Sequence, residues 1–420
     1  MNNKTIGIVG LGYVGLPLAI EFCKKFKVIG FDINKNRINE LSNNIDKTNE
    51  ISNKELFESK NVIFSCDDKD LEQVDIYIIT VPTPIDKYKN PDISILLNAT
   101  KIVAKHLKKN DLVIFESTVY PGCTEEDCVP VLEEFSKLKF NVDFFCGYSP
   151  ERINPGDRVN RLPNIIKVVS GSSPEISNYI KLLYDEIIIA GTYLAPSIKV
   201  AEASKAIENA QRDLNISFVN ELAIIFDKMD IDTNEVLDAA STKWNFIKFK
   251  PGLVGGHCIG VDPYYLAHKS ISLGYEPQVI LSGRKVNNNM GKFIAQSIIK
   301  LMINSDFKIK KSKALILGFA FKEDCSDYRN TRVIDIYDEL NEYGLETSIF
   351  DPLVNEKEVK SKYGINLLKS VSDKYEVIIF AVPHKIILES NYHIKNSFSN
   401  KTIIYDVKSV LDKKISTYRL

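Results

Sequence analysis

Short apolar runs separated by stretches of helical period open the chain. Residues 5–10, 27–32, 75–81, 111–116, 142–147 and 165–170 read as buried strands, with helices between them. Strands apolar on both faces that alternate with helices predict a doubly wound, mostly parallel sheet. From about residue 195 the pattern changes. Residues 196–229 repeat with helical period and contain no Gly, Ile231-Asp232-Thr233 reads as a capped helical restart, and residues 277–304 predict another helix. No strand is expected in this middle third. The last third returns to alternation and echoes the first: 75–82 (DIYIITVP) by 376–383 (EVIIFAVP), 4–10 (KTIGIVG) by 313–318 (KALILG), and Phe31-Asp32 by Phe350-Asp351. The expected architecture is α/β, with two Rossmann-like doubly wound domains (1–194 and 307–420) joined by a helical middle domain (195–306). A long helix between two such halves commonly serves as a spine and a dimer surface, so a homodimer is expected.

Composition narrows the class. With 420 residues, 44% apolar and 26% charged, the chain reads as a soluble globular protein of two or three domains. A net charge of −1 gives no electrostatic case for nucleic acid or an anionic membrane. The seven cysteines are scattered and form no Cys-x-x-Cys pair, which argues against a disulfide framework or a metal site and for a reducing cytoplasm. No signal-peptide pattern is read at the start, and no apolar run reaches the ~18–20 residues of a membrane span.

Residues 10–15 (GLGYVG) follow a strand and open a helix. Gly10 permits the tight turn, Gly12 lets a pyrophosphate approach the backbone, and Gly15 lets helix and strand pack closely. The helix N-terminus then offers free N–H groups and the positive end of its dipole to phosphates. Asp32 closes the second strand, where a carboxylate binds ribose hydroxyls and repels a 2′-phosphate, so the cofactor expected is NAD. Tyr13, Val14 and Arg37 are assigned to the same cofactor site. Thr83 and Thr118 end later strands at the same sheet edge; each is either a neighbour of the nicotinamide half or an ordinary turn hydroxyl.

Lys205 and Asn209 stand four residues apart on one helical face, where a cation and an amide together can hold a developing oxyanion. Cys258 lies in 255–263 (GGHCIGVDP), between a Gly-Gly pair and Asp262. A simple alcohol dehydrogenase needs no thiol. A thiol beside a nicotinamide captures an aldehyde covalently and allows a second oxidation, so the pairing points to an alcohol taken to a carboxylate in one site. The flanking glycines read as room for substrate, and His257 as a structural neighbour of the nucleophile.

These stretches, with 81–84, 117–122, 149–152 (SPER) and 319–322 (FAFK), resemble the UDP-glucose/GDP-mannose dehydrogenase family over essentially the whole chain. Residues 209–213 (NAQRD), 249–252 (FKPG) and 327–332 (DYRNTR) resemble its UDP-N-acetylhexosamine branch, which makes uronic acids for capsule and O-antigen. The UDP-glucose branch carries a second Glu after the Pro-Glu pair; here 151–156 reads ERINPG, with Pro155 in that region. The resemblance implies that Cys258 attacks the C6 aldehyde, that Lys205 and Asn209 stabilise oxyanions, and that Asp262 with Thr118 positions water or relays protons. It implies that Glu151 is the base for thioester hydrolysis and that Arg152, Ile153 and Asn154 adjoin the substrate. Phe249 and Gly255 belong to a loop over the sugar, Phe321 and Lys322 bind UDP, and Arg329 binds a phosphate of either NAD or UDP. Among substrates UDP-GlcNAc stands ahead of UDP-GalNAc, UDP-ManNAc and UDP-glucose, although no residue is identified that reads the epimer. A GDP-mannose enzyme, a two-electron hydroxyacid dehydrogenase and a non-catalytic NAD-binding sensor are the competing readings; the last two have no use for Cys258.

Overall fold

The computed structural model describes residues 4–153, 160–256, 259–389 and 401–420. Asn154, Pro155, His257 and Cys258 therefore lie outside the described residues. The chain divides into two compact units, Met1–Glu208 with Tyr264–Glu276, and Asn209–Pro263 with Pro277–Leu420.

The first unit is built on eight strands: β1 (Thr5–Val9), β2 (Lys27–Phe31), β3 (Val62–Ser65), β4 (Ile76–Ile79), β5 (Leu112–Phe115), β6 (Phe145–Tyr148), β7 (Lys167–Gly171) and β8 (Thr192–Leu194). Their order is β3-β2-β1-β4-β5-β6-β7-β8, parallel except where β6 meets β7. The order reverses between β1 and β4, and the crevice at such a reversal is where α/β sheets bind ligands. Ile6, Ile8, Ile76, Ile78, Leu112 and Ile114 share a core with Leu16, Ala19 and Phe22 of the helix Gly15–Cys23. The six expected strands form. The fifth of them starts later than expected: Val142 is 61% exposed and belongs to a turn in which the Val142 and Asp143 N–H groups donate to Lys139 O. Strands β3 and β8 are additional. Both are short and partly exposed, so neither presents the continuous apolar run that marks a buried strand.

The second unit carries a five-stranded, all-parallel sheet of β9 (Lys313–Leu317), β10 (Glu346–Phe350), β11 (Val377–Phe380), β12 (Ile403–Asp406) and β13 (Tyr418–Arg419), in the order β10-β9-β11-β12-β13. Met290, Ile294, Ile298 and Met302 of the helix Gln278–Asn304 pack in one core with Ala314, Ile316, Val377 and Ile379. The middle third forms the helix Ile198–Met229, the short helix Thr233–Ala240 and the helix Gln278–Asn304, with no strand among its described residues.

The sequence echo is a structural repeat. Gly10 has φ +97°, and a Cβ there would meet Val81 at 3.0 Å; Gly318 has φ +88°, and a Cβ there would meet Val382 at 2.3 Å. Gly10 N–H donates to Phe31 O at 2.8 Å, and Gly318 N–H to Phe350 O at 2.9 Å. The carboxylate after each of those phenylalanines accepts the next loop amide: Asp32 from Leu11 at 2.9 Å, and Asp351 from Phe319 at 2.6 Å. The same backbone solution joins the first strand of each sheet to the loop after it.

No helix among the described residues is long and apolar enough to cross a membrane.

The expected restart at Asp232 is a helix N-cap with a second task. Asp232 Oδ1 accepts the Asn234 and Glu235 N–H groups at 2.9 and 3.2 Å, while Oδ2 accepts Arg419 Nη2 at 2.7 Å and lies 3.0 Å from Lys413 Nζ. These partners hold its carboxyl down to about 2, below the ordinary 3.8, although partial burial opposes them. The contribution is present above pH 3.8 and is lost as pH falls through about 2. Asp232→Ala should cost about 1–2 kcal/mol at pH 7, most of it the lost cap, because exposed ion pairs add little. Urea denaturation measures this; a loss too small to detect would show that neither contact bears on stability.

Candidate active site

In the first unit the cofactor turn has the geometry its sequence requires. A Cβ at Gly15 would lie 1.9 Å from Gly10 O, so helix and strand meet there as expected. A Cβ at Gly12 would meet nothing within 4 Å, so Gly12 presents open backbone where a phosphate needs it. The helix Gly15–Cys23 has no side-chain cap and no acidic residue in its first turn, so no carboxylate there competes with or repels an anion. Asp32 is half-buried, its two oxygens oriented by the Leu11 and Asn34 N–H groups at 2.9 and 2.8 Å. Arg37 is buried beneath the turn: its Nε–H donates to Leu11 O at 2.8 Å and Nη1 lies 2.8 Å from Asp46. In this geometry it serves the cofactor site by bracing the turn.

The loops after β4 and β5 are tied to each other. Ser117 Oγ donates to Val81 O and Thr83 Oγ1 to Thr118 O, each at 2.6 Å, while Tyr265 OH donates to Thr83 O at 2.9 Å. The Thr83 hydroxyl is thus a loop brace. Behind the second loop, Glu202 of the helix Ile198–Met229 accepts the Gly122 and Thr124 N–H groups at 2.5 and 2.9 Å. Glu202 lies one turn before Lys205, which is itself buried.

Glu151 follows β6 and is 8% exposed. Its Oε1 accepts the Arg152 N–H at 2.7 Å and also the Ile153 N–H, and its buried Oε2 accepts no hydrogen bond from any described residue. The Arg152 side chain turns away, to Glu208 at 2.9 Å and Ile166 O at 2.8 Å.

In the second unit Asn209 and Asp262 meet. Asn209 Nδ2 donates to Asp262 Oδ2 at 2.5 Å, and Asp262 is 1% exposed. One N–H of the amide is therefore oriented by a carboxylate, and the amide has a second to offer an oxygen. The loop carrying Phe249 and Gly255 is fixed from behind. Asn220 Nδ2 donates to Gly252 O at 3.0 Å and Asn220 Oδ1 accepts Gly252 N–H at 2.8 Å. Asn220 in turn bonds Asn287 at 2.8 Å, and Asn287 and Arg284 bond Asp213 at 2.7 and 2.6 Å, all four side chains being buried.

The Gly-Gly pair packs against protein. A Cβ at Gly255 would lie 2.5 Å from Asn330 O, and one at Gly256, where φ is +85°, would lie 2.8 Å from the Phe321 ring. The sequence suggested room for substrate; in the structure the close approach is to the loop that bears Phe321 and Lys322. Leu253, Gly255, Phe321, Lys322, Arg332 and Lys408 line a small cleft of about 10 Å³ there, with three cations and the Glu323 carboxylate at its wall, Glu323 standing 3.6 Å from Lys408. Arg329 is half-buried and paired with Asp327, Nη2 to Oδ2 at 2.8 Å.

Sequence reasoning did not identify Glu202, Glu116, Lys167, Asn220, Asp213, Arg284 or Asn287. The usable signal for the first three was a charge within or beside an apolar run, where an unpaired charge is too costly to bury.

Models of the UDP-glucose/GDP-mannose dehydrogenase family match the chain in three parts: the NAD binding domain over residues 4–188, the central domain over 199–289 and the UDP binding domain over 315–413. The UDP-N-acetyl-D-glucosamine 6-dehydrogenase of Pseudomonas aeruginosa is 52% identical over 422 residues, covering all of both chains. The protein CapL of Staphylococcus aureus is 51% identical, over 98% of this chain and 97% of its own. The structure of a UDP-D-ManNAc dehydrogenase from Pyrococcus horikoshii superposes with a TM-score of 0.89 at 27% identity, covering 99% of this chain and 98% of that one.

Burial pushes the Glu202 carboxyl up from 4.5 to about 7 despite its N–H donors. A carboxyl raised on folding stabilises the fold fully below its unfolded pKa, and that contribution is lost as pH rises through the folded value. The stability difference between wild type and Glu202→Gln should therefore change between pH 4.5 and 7 and be level outside that window. Denaturant titrations at several pH values measure it. A difference independent of pH would show that Glu202 does not titrate there.

Proposed function

The chain belongs to the UDP-glucose/GDP-mannose dehydrogenase family, and on that premise we propose that it oxidises C6 of UDP-GlcNAc to the uronic acid, a precursor for surface polysaccharide. It is an NAD-dependent nucleotide-sugar dehydrogenase. The observation that carries the substrate is the 52% identity over its full length to a UDP-N-acetyl-D-glucosamine 6-dehydrogenase, against 27% to the UDP-D-ManNAc enzyme that shares its fold. The proposed division is 1–194 for NAD, 195–306 for the spine and nucleophile, and 307–420 for UDP. The family-model spans and the repeated turn support it.

Two NAD molecules, bound in turn, would supply the hydride acceptors for the two oxidations of C6, and the hydroxyl proton lost in the first would pass to water. The N–H groups of the turn beyond Leu11 would hold the NAD pyrophosphate, and Asp32 its ribose. Lys205 and Asn209 stabilise the C6 oxygen as it gains charge, with Asn209 oriented by Asp262. The Cys258 thiolate adds to the C6 aldehyde, and oxidation of that adduct leaves a thioester. Hydrolysis then adds water to the carbonyl, breaks the C–S bond and returns the thiolate. Glu151 takes the proton of that water on Oε2, the oxygen that accepts no hydrogen bond from any described residue. Lys322, with Arg332 and Lys408 at the same cleft, answers the diphosphate of UDP, Phe321 packs on it, and Arg329 serves a nucleotide phosphate.

The working protein is a cytoplasmic homodimer in this reading. Ile207, Phe218, Ile225 and Met229 of the helix Ile198–Met229 are 44–57% exposed and fall on one face of it. A second copy of the same helix would cover such a stripe. None of the six described cysteines forms a disulfide, which suits a reducing compartment.

The stoichiometry tests the chemistry. Two NADH should form per UDP-GlcNAc, and UDP-glucose should be poorer by on the order of ten- to hundredfold, because a site built for an acetamido group leaves a polar partner unpaired with glucose. Glu151→Gln should accumulate an acyl-enzyme at Cys258, visible by intact mass spectrometry. One NADH with a free aldehyde would overturn the mechanism; preference for UDP-glucose would overturn the branch.

The dimer is tested separately. Phe218→Asp should shift the sedimentation coefficient from dimer to monomer with the fold retained by circular dichroism. An unchanged coefficient would rule out this helix face as the contact.

A further inference from the structure

Behind Glu151 lies a set of charges that the oxidation chemistry does not require. Lys167 begins β7, just before the buried Val168 and Val169, with its side chain 2% exposed. Its Nζ donates to Glu116 Oε2 at 2.7 Å and to Pro150 O at 3.1 Å, and stands 3.8 Å from Glu151 Oε2. Glu116, at the end of β5, is 1% exposed, and its other oxygen accepts the hydroxyl of buried Tyr184. The Tyr184 ring lies beneath the ammonium, 5.6 Å from Nζ to ring centroid. One cation thus serves two buried carboxylates. It is bonded to the first and merely near the second.

That asymmetry matters to a base. A direct ammonium–carboxylate bond would occupy the lone pair that must take a proton and would lower its basicity. No cation at all would leave two buried carboxylates repelling each other, and one of them would be protonated at neutral pH. At 3.8 Å the ammonium stands close to Glu151 Oε2, which still accepts no hydrogen bond from any described residue. What fixes the distance is Glu116, itself held by Tyr184. We propose that Lys167 is a positioning residue for the hydrolytic step, and that the Glu116–Tyr184 pair holds its ammonium back from Glu151 so that Glu151 Oε2 stays open to take a proton.

The proposal rests on the reading of Glu151 as the base. Among the described residues, the charged and titratable groups around Glu151 are Lys167 from β7, Glu116 from β5, Tyr184 from the helix Pro174–Asp185 and the adjacent Arg152, whose guanidinium is drawn off to Glu208. Burial and the negative charge of Glu151 both push the Glu116 carboxyl up, against the pull of Lys167, which agrees with a cluster short of positive charge.

The two sides of the cluster make opposite predictions. Lys167→Met removes the shared cation, so the acidic limb of thioester hydrolysis should move up by about one pH unit or more, a roughly tenfold slowing below the limb. Glu116→Gln frees Lys167 to close on Glu151, so the limb should move down and the plateau rate should fall. Hydrolysis is read as decay of the Cys258 acyl-enzyme by quenched intact mass spectrometry across pH, in full-length protein with UDP-GlcNAc and NAD. The first NADH burst and the KM for the sugar should stay within about twofold, since no binding group changes. A purely structural ion pair would lower the melting temperature of both variants and leave the limb in place, and that result overturns the proposal. If Lys167→Met does not fold, Glu116→Gln and Lys167→Arg decide the matter: the first should lower the limb, the second should leave it near the wild-type position. Glu151→Gln separates this idea from the reading beneath it. Hydrolysis at the wild-type rate in that variant would remove Glu151 as base. Slow hydrolysis there, with unmoved limbs in the cluster variants, would remove only the role of Lys167.

Discussion

A carboxylate at the end of a second strand, accepting an amide from the turn after the first, sets the nucleotide-facing backbone in both units. The turn must leave a parallel strand through a left-handed glycine while a valine of the next strand's loop presses on the Cα face. Asp32 and Asp351 hold the next amide in the turn. What differs is the surroundings of the carboxylate. Asp32 is half-buried at the sheet edge, where a ribose can reach it. Asp351 is sealed under His384, whose Nε2 lies 3.0 Å away and whose Nδ1 accepts the Asp324 N–H at 2.9 Å. The ring thereby links Asp351 to the loop bearing Phe321 and Lys322. The first turn is thus left open to a dinucleotide, and the second is closed into a support for its own loop.

Polar groups buried behind the site loops form a second pattern. Glu202 stands behind 117–124, Asn220 and its partners behind 249–256, and Lys167 with Glu116 behind Glu151. Apolar residues of similar volume would pack as well or better, because desolvating ions offsets most of their attraction. Each cluster instead gives a loop or a carboxylate one defined hydrogen-bonded geometry. The proposed chemistry, with an oxyanion, a thioester and a directed water, would need its groups set to within fractions of an ångström, and rigid polar contacts from strands and helices supply that. The observed pairings place this cost where the chemistry is expected.

The sequence alone determined the architecture and much of the cofactor end. Apolar periodicity located six of the eight strands of the first sheet, the long helices and the capped restart at Asp232. The glycine spacing with Asp32 located the turn, and the repeated segments matched a repeat in the backbone. These features are set by local rules: side-chain period, φ restrictions and caps act within a few residues of chain. Edge strands β3 and β8 were missed because partial exposure erases the apolar run.

Other features were decided only by the tertiary structure. The Gly255–Gly256 pair is answered by Asn330 and Phe321, more than sixty residues onward, and Arg37 turns under the cofactor loop toward Asp46. Lys167 could be read in sequence only as an odd charge in a strand. Its meaning depends on β5, β6 and β7 lying side by side, which brings Glu116 and Glu151 to one ammonium. Which buried charge finds which partner is set by strand order and loop return. A window of sequence carries no information about that, because the partners are distant in the chain and the energy of burying each depends wholly on the others being present.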